Sequence, residues 1–356
     1  MDRSEYTDPG REFAEIIKST TPSELPTGPT SNGESEHRGE TSLGSVNDNV
    51  ESSPEDSTYP ALATYEDGVL TELRISSSLI KAILNKGESR NPCPKNIYET
   101  YLTGNNRRIT TAIMNNGMYF ESHVLGSGRS GKLFELPKLK KGGRSIDNIR
   151  IDEQINNFDL VAHKYGLIIV KEGRSCNTQV EVERLVESLD HPNVVFKITG
   201  TIDLISPIDA GIHKYPAAAI DIKLPKDRDN EHGEYSWGLP QYMDHTQGVL
   251  YSFLTDFPFF YLIFDYRSKD RGHKLIPVIT MAMFPDGETL ENRKAYTVAR
   301  QRQSDLKLSV KEVISTVMRW DYEKYPTHAS YDNCKNCPLN PQNGGSCPDY
   351  NVIKEI

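Results

Sequence analysis

Two short apolar runs each enclose an aspartate, and the second also encloses a lysine: VFKITGTIDLIS holds Asp203, and AAAIDIKL holds Asp221 and Lys223. An unpaired charge in such a run costs several kcal/mol. Read as strands, the first puts Phe196, Ile198, Ile202 and Leu204 on one face and Lys197, Thr199, Thr201 and Asp203 on the other. The second puts Ile220, Ile222 and Leu224 against the core, with Asp221 and Lys223 on the opposite face. Between them SPIDAGIHKYP reads as a hairpin connection in which Asp209 is a turn residue. Paired strands bring Asp203 and Asp221 onto one surface, too close for both to stay ionised comfortably without a cation. A hard divalent ion such as Mg²⁺ resolves the conflict, because it takes one or two carboxylates while keeping waters and substrate phosphate oxygens. Lys223 beside it can hold a water or hydroxide and offset charge growing on a phosphate. The competing reading is a pair of solvated aspartates on an exposed sheet face, paired with Lys197 and Lys223.

Further along, WGLPQYMDHTQGVLYSFL has apolar residues at helical spacing, and Gln247 and Tyr251 stand i, i+4. They share a flank and can present an amide and a phenol to one ligand. Gln241 and His245 form a competing i, i+4 pair. Upstream, GMYFESH sets Gly117, Glu121 and His123 on a helix whose apolar neighbours are Phe120 and Val124; Glu121 reads as a helix-surface carboxylate, with an extra metal ligand as the alternative.

In series these residues resemble the PD-(D/E)XK nucleases, in particular the RecB-like branch with exonuclease V, the CRISPR-adaptation nucleases and phage recombination exonucleases. The family order is a helix with G…H, a strand with G-x-x-D, a strand with (D/E)-x-K and a helix with Q-x-x-x-Y. This chain has Gly117…His123, Gly200-Thr-Ile-Asp203, Asp221-Ile-Lys223 and Gln247-Gly-Val-Leu-Tyr251. It departs from the pattern at Ile202, where proline is usual, and at Asp221, where glutamate is commoner. The resemblance implies a restriction-endonuclease-like α/β core, a central mixed sheet flanked by helices. It implies that His123, Asp203 and Asp221 bind Mg²⁺ or Mn²⁺ with the carbonyl of Ile222, and that Lys223 positions the attacking water. Gln247 and Tyr251 would orient the DNA strand. The implied activity is that of a metal-dependent DNase, an exonuclease acting at DNA ends in recombination or repair and leaving a 5′-phosphate. Its partner would be a single-strand annealing protein and its place the cytoplasm of a bacterial or phage-infected cell.

Five cysteines in a chain without a secretory leader argue against a disulfide framework. YDNCKNCPLNPQNGGSCPDY gives Cys334-x₂-Cys337-x₉-Cys347, and CPKNIYETYL supplies Cys93 far upstream. Thiolates at x₂ spacing reach one metal centre, and closing a four-thiolate shell needs a distant fourth ligand. Iron–sulfur members of the RecB-like branch resemble this arrangement, which implies a [4Fe–4S] cluster clamping both ends of the domain; Zn²⁺ on the same thiolates is the alternative. Cys176 reads as a plain thiol.

The basic loop with Lys138, Lys140, Lys141 and Arg144 suits contact with a DNA backbone, as do Arg107 and Arg108. The net charge of −9 does not oppose this. Residues 1–60 hold 13 acidic and 4 basic side chains, so the remainder is neutral overall. That acidic stretch is dense in Ser, Thr, Pro and Gly and reads as a disordered tail. Residues 61–356 then form the nuclease domain, with a cysteine-rich lobe from about 322 to 356 closed by Cys93. Its first element is expected to be the helix in ISSSLIKAILNK. Helices at 151–165 and 178–189 are expected to flank a strand at 166–170, and another helix is expected near 237–254. No run approaches the ~18 apolar residues of a membrane span, and oligomeric state is not legible. The rival function is a DNA-binding or assembly module with a degenerate site, against which the joint presence of Asp203, Asp221 and Lys223 weighs.

Overall fold

In a computed structural model the described residues are 61–84, 92–105, 112–126, 133–136, 144–173, 175–211, 213–225, 245–267, 272–279, 290–328 and, beyond these, Cys334, Cys337, 339–343, Gly345 and Cys347. All lie in the second of the two units into which the chain divides, Met1–Glu55 and Asp56–Ile356. Among them no helix is long and apolar enough to cross a membrane.

The first element is a hairpin, one step earlier than expected: β1 (Ala63–Glu66) and β2 (Val69–Ile75). Asp67 and Gly68 turn it at φ of 50° and 77°. An Asp-Gly pair with both φ positive matches the right-handed twist of the flanking strands. The expected helix follows as α1 (Ser77–Leu84), where the Leu79 N–H donates to Ser76 Oγ at 3.2 Å. Next come α2 (Pro94–Ile97), a π-helical turn (Tyr98–Leu102), α3 (Ala112–Leu125) and α4 (Ile146–Lys164).

Two expectations fail here. Residues 178–189 are not helical; Thr178–Val186 is strand β3, paired antiparallel with β4 (Val195–Ala210) from Thr178↔Leu204 to Val186↔Phe196. Its Glu and Arg residues favour helix locally, and the waiting edge of β4 overrides them. Residues 166–170 join no strand. Their backbone is satisfied by side chains instead: Ile168 N donates to Ser206 Oγ at 2.8 Å and Val170 N to Asn177 Oδ1 at 2.7 Å.

The strands β4 and β5 (His213–Lys223) run almost directly into each other, so Asp209 pairs with Lys214 inside the ladder and is not a turn residue. Helix α5 (Thr246–Thr255), β6 (Phe259–Phe264), β7 (His273–Ile279) and α6 (Leu290–Tyr322) complete the order. The sheet order is β1-β2-β4-β5-β6-β7, with β3 also paired to β4. β2–β4 and β5–β6 are parallel and the other pairs antiparallel.

Every residue of β6 is buried, as expected of a strand covered on both faces. On one face Phe264 meets Phe120 of α3 and Phe158 of α4, with ring centroids 5.1 and 5.6 Å away, and Leu204, Ile220 and Ile222 join this core. On the other, Phe259 packs against Tyr251 of α5 at 5.9 Å, and α6 lies against α1 and α5.

Phe196 and Ile198 pair with β2 as well as β3, while Leu204 pairs with β3 as well as β5. Since β3 occupies one edge of β4 throughout, β2 and β5 share the other. They leave Thr199–Asp203 between them.

Candidate active site and cysteine lobe

The carboxylates of Asp203 and Asp221 meet at that parting. Leu204↔Ile220 is the last rung of the β4–β5 ladder, so Asp203 and Asp221 are the next residues along it. The N–H of Ile222 donates to Asp203 Oδ2 at 2.7 Å. Asp221 is 1% exposed and Asp203 9%, which sets aside the reading of two solvated aspartates. Lys197, their supposed partner in that reading, pairs with Glu72 and Glu183.

Lys223 Nζ forms an ion pair with Asp221 Oδ2 and lies 5.9 Å from the centroid of the Tyr261 ring. Gln247 Nε2 donates to Asp221 Oδ1 at 2.6 Å and to the Tyr251 hydroxyl at 3.3 Å. The amide therefore ties α5 to β5 at the carboxylate itself. His245 precedes α5, where Val249 N donates to its carbonyl at 2.9 Å; its expected partner Gln241 lies outside the described residues.

Strict alternation fails in β4. The Cβ of a side chain at Gly200 would stand 3.0 Å from Tyr251 Cδ1, so Gly200 looks toward α5, while Leu204 belongs to the core beneath α3 and α4. Residues four apart should share a face. Ile202, Asp203 and Leu204 are buried in succession, so β4 is covered on both faces here. Opposite Asp203, the β3–β4 register passes over Gln179, which has φ of 50°. Phe196, Ile198, Ile202 and Leu204 are thus not one continuous face.

The electrostatics of the cluster follow from burial and charge. Burial first, then the Asp221 and Glu121 carboxylates, push the Asp203 acid well above its ordinary value. Burial works to lower the Lys223 ammonium, but the charges of Asp221 and Asp203 outweigh it and raise it, so the amine stays protonated. Burial and the same two carboxylates also raise the Tyr251 phenol.

Glu121 is thereby a member of the cluster, not a plain surface carboxylate. Its Oε1 accepts from Gln179 Nε2 at 3.1 Å. His123 sits two residues further along α3, about 200° around the helix. Its Nδ1 meets the Tyr119 carbonyl at 2.8 Å and its ring lies 4.2 Å from that of Tyr119. Among the expected ligands, Asp203, Asp221 and the backbone of Ile222 thus meet at one place, and the charge of Glu121 also acts on Asp203. Gly117 itself has open space where a Cβ would stand, so no close approach demands a glycine there.

Arg144 forms an ion pair with Asp152, whose Oδ1 also accepts from the Tyr119 hydroxyl at 2.8 Å. Burial works to raise the Asp152 acid, and the bonds from Arg144 and Tyr119 bring it below its ordinary value. The cation of Arg144 is thus compensated. Lys138, Lys140, Lys141, Arg107 and Arg108 lie outside the described residues.

The second cluster is made of thiols. Cys93, Cys334, Cys337 and Cys347 are all unbridged. The Cys337 thiol is pushed up to about 11, by burial first, and Cys93, Cys334 and Cys347 add to the rise. Cys93 caps α2 just before Pro94 and receives the His328 N–H on its sulfur at 3.3 Å. Tyr98 stacks on Tyr325 with centroids 4.4 Å apart, and the Tyr325 and Tyr65 hydroxyls meet at 2.9 Å. These rings fasten the Cys93 segment to the end of α6. At the other side Cys337 N donates to Cys334 O at 3.2 Å and Cys347 N to Leu339 O at 2.8 Å, so backbone turns hold these three cysteines close along a folded-back segment. Cys176 is exposed and apart, with its sulfur near the Lys171 carbonyl.

Among the described residues no group of three or more His, Cys, Asp and Glu side chains stands ready to hold a metal ion. The donor sets still match two kinds of ion by chemistry: crowded carboxylate oxygens for a hard divalent cation, and four thiols for a soft centre. No family model matches this chain, and no curated protein matches it.

Proposed function

We propose that the protein is a metal-dependent deoxyribonuclease with a restriction-endonuclease-like core of the RecB-like kind. Its reaction is hydrolysis of phosphodiester bonds at DNA ends, as an exonuclease of recombination or repair in the cytoplasm of a bacterial or phage-infected cell. A single-strand annealing protein is the partner. One observation supports this reading above others: Asp203 and Asp221 are buried on adjoining strands, with Lys223 and Gln247 each bound to an oxygen of Asp221. Such a cluster is costly for a fold to keep and is concentrated at sites that use it.

Mg²⁺ or Mn²⁺ held by Asp203, Asp221 and Glu121 would supply positive charge to the scissile phosphate. The side chains divide the remaining work. Lys223 donates hydrogen bonds to the attacking water and to the phosphate as charge grows there. Gln247 donates from its one amide nitrogen both to Asp221 Oδ1, fixing the carboxylate, and to the Tyr251 hydroxyl. Tyr251 fills the space that Gly200 leaves. Water adds to phosphorus as the ester P–O bond breaks, and the proton is lost to solvent or the leaving oxygen. The four thiols would hold [4Fe–4S] or Zn²⁺, tying Cys93 to the chain beyond α6.

The test is digestion of end-labelled linear DNA and closed circular DNA with Mn²⁺ or Mg²⁺, beside Asp221→Ala. The expected outcome is metal-dependent loss of linear DNA by the native protein alone. Equal nucleolysis by both proteins rejects the site, and DNA binding without cleavage under either metal favours a non-catalytic module.

A further inference from the structure

We infer that Gln179 is a positioning residue for the carboxylate site, one that aims Glu121 at Asp203 and thereby sets how tightly the site takes a divalent cation. The inference rests on the proposed cation site and adds a residue that none of its motifs contains.

Three observations meet at Gln179. Its φ is 50°, a left-handed conformation that is strained for a residue with a side chain and is not favoured by glutamine. Its position in the β3–β4 register is opposite Asp203, between the Thr178↔Leu204 and Val180↔Ile202 rungs. Its Nε2 donates to Glu121 Oε1 at 3.1 Å, across 58 residues of sequence and from a strand to a helix. A glycine would satisfy that backbone without strain. The chain instead keeps a side chain whose amide reaches the one helical carboxylate acting on Asp203. A neutral amide suits the task, because it fixes one oxygen of Glu121 without cancelling its charge, whereas a lysine would compete with a cation. The neighbouring Thr178 is also turned inward, donating from Oγ1 to the Leu125 carbonyl at 3.0 Å. The start of β3 is therefore fastened to α3 at two consecutive residues. This makes the bend a link between the strand that faces Asp203 and the helix that carries Glu121.

Outer partners of metal-binding carboxylates typically change affinity about 10–100-fold when removed. The experiment is calorimetric titration of the full chain with Mn²⁺ alone, with thermal unfolding in a chelator measured in parallel. Gln179→Gly keeps the backbone conformation and deletes the amide. It is expected to weaken Mn²⁺ binding about tenfold while leaving the chelated protein equally stable or more so. In a Glu121→Gln background the same substitution is expected to change nothing further. Gln179→Asn, which tolerates positive φ and keeps a shorter amide, is expected to fall between. Unchanged Mn²⁺ affinity in Gln179→Gly, or a loss that persists at full size beside Glu121→Gln, overturns the inference and leaves the cation site standing. Native protein that binds no Mn²⁺, or that binds it no better than Asp221→Ala, overturns the cation site and the inference with it.

Discussion

Gly200 lies under the ring of Tyr251: a methyl group at that position would stand 3.0 Å from Cδ1, with the Leu250 side chain 3.5 Å away. The glycine is therefore needed for space, and its backbone is ordinary. Gly200→Ala is expected to push Tyr251 off β4, costing about 1–3 kcal/mol in stability as overpacking does, and to reduce nuclease activity by loosening Gln247. Unfolding by denaturant and rates on linear DNA measure the two effects. A second change, Tyr251→Ala, should return part of the stability and none of the activity. Native-like behaviour of Gly200→Ala would show that the ring moves freely aside.

Gln247 holds Asp221 at 2.6 Å through an uncharged donor. Gln247→Ala is expected to lower turnover about 10–100-fold with little change in DNA binding, because the carboxylate loses its fixed orientation. Gln247→Glu should be worse, since it adds a further acid beside Asp203, Asp221 and Glu121. Single-turnover rates at saturating Mn²⁺ decide between them, and equal rates for the two variants would count against an orienting role.

The stability of the metal-free protein should depend on pH through Asp203. Burial, Asp221 and Glu121 raise its acid above the value of about 4 expected in an unfolded chain. The folded state then binds the proton more tightly, so stability is highest below that unfolded value and is lost as pH rises toward the folded one. Asp203→Asn removes the dependence while its side-chain oxygen can still accept from the Ile222 N–H. Thermal scans in chelator from pH 5 to 8 are expected to show the variant gaining ~2–4 °C per kcal/mol near neutrality, with activity abolished. A parallel pH dependence in the variant and the native protein would assign the effect to other groups.

Loss of the thiol cluster should unfasten the lobe. Cys93→Ser is expected to release the bound iron or zinc and lower thermal stability, whereas Cys176→Ser, at an exposed thiol apart from the cluster, should leave both unchanged. Elemental analysis of anaerobically purified protein, with sulfide determination and a visible spectrum, tells iron–sulfur from zinc. Protein free of both metals and equally stable after Cys93→Ser would remove the cluster.

Local chemistry made parts of this arrangement readable in advance. The serines before Leu79 cap α1, the alternation around Ile220 to Leu224 buries one side of β5, and the i, i+4 spacing of Gln247 and Tyr251 puts both on one flank of α5. The Asp67-Gly68 pair carries an equally local hairpin signal. Thr178–Val186 is locally ambiguous, because its Glu and Arg residues favour helix while Val180 and Val182 alternate as in a strand, and the free edge of β4 decides between them.

The amino-acid order alone settled which residue types were present at spacings fit for ion and phosphate chemistry: Asp203, Asp221-x-Lys223, Gln247-x₃-Tyr251 and the four scattered cysteines. Periods of two and of 3.6 residues are short-range properties, so they can be counted along the chain. Only the tertiary structure decided that Asp203 and Asp221 are buried on adjoining strands, that Gln179 reaches Glu121 from the bend in β3, and that the Cys93 segment packs against the chain beyond α6. Those outcomes depend on which strand edges are vacant and which side chains fill them, a competition among distant segments that no local period encodes.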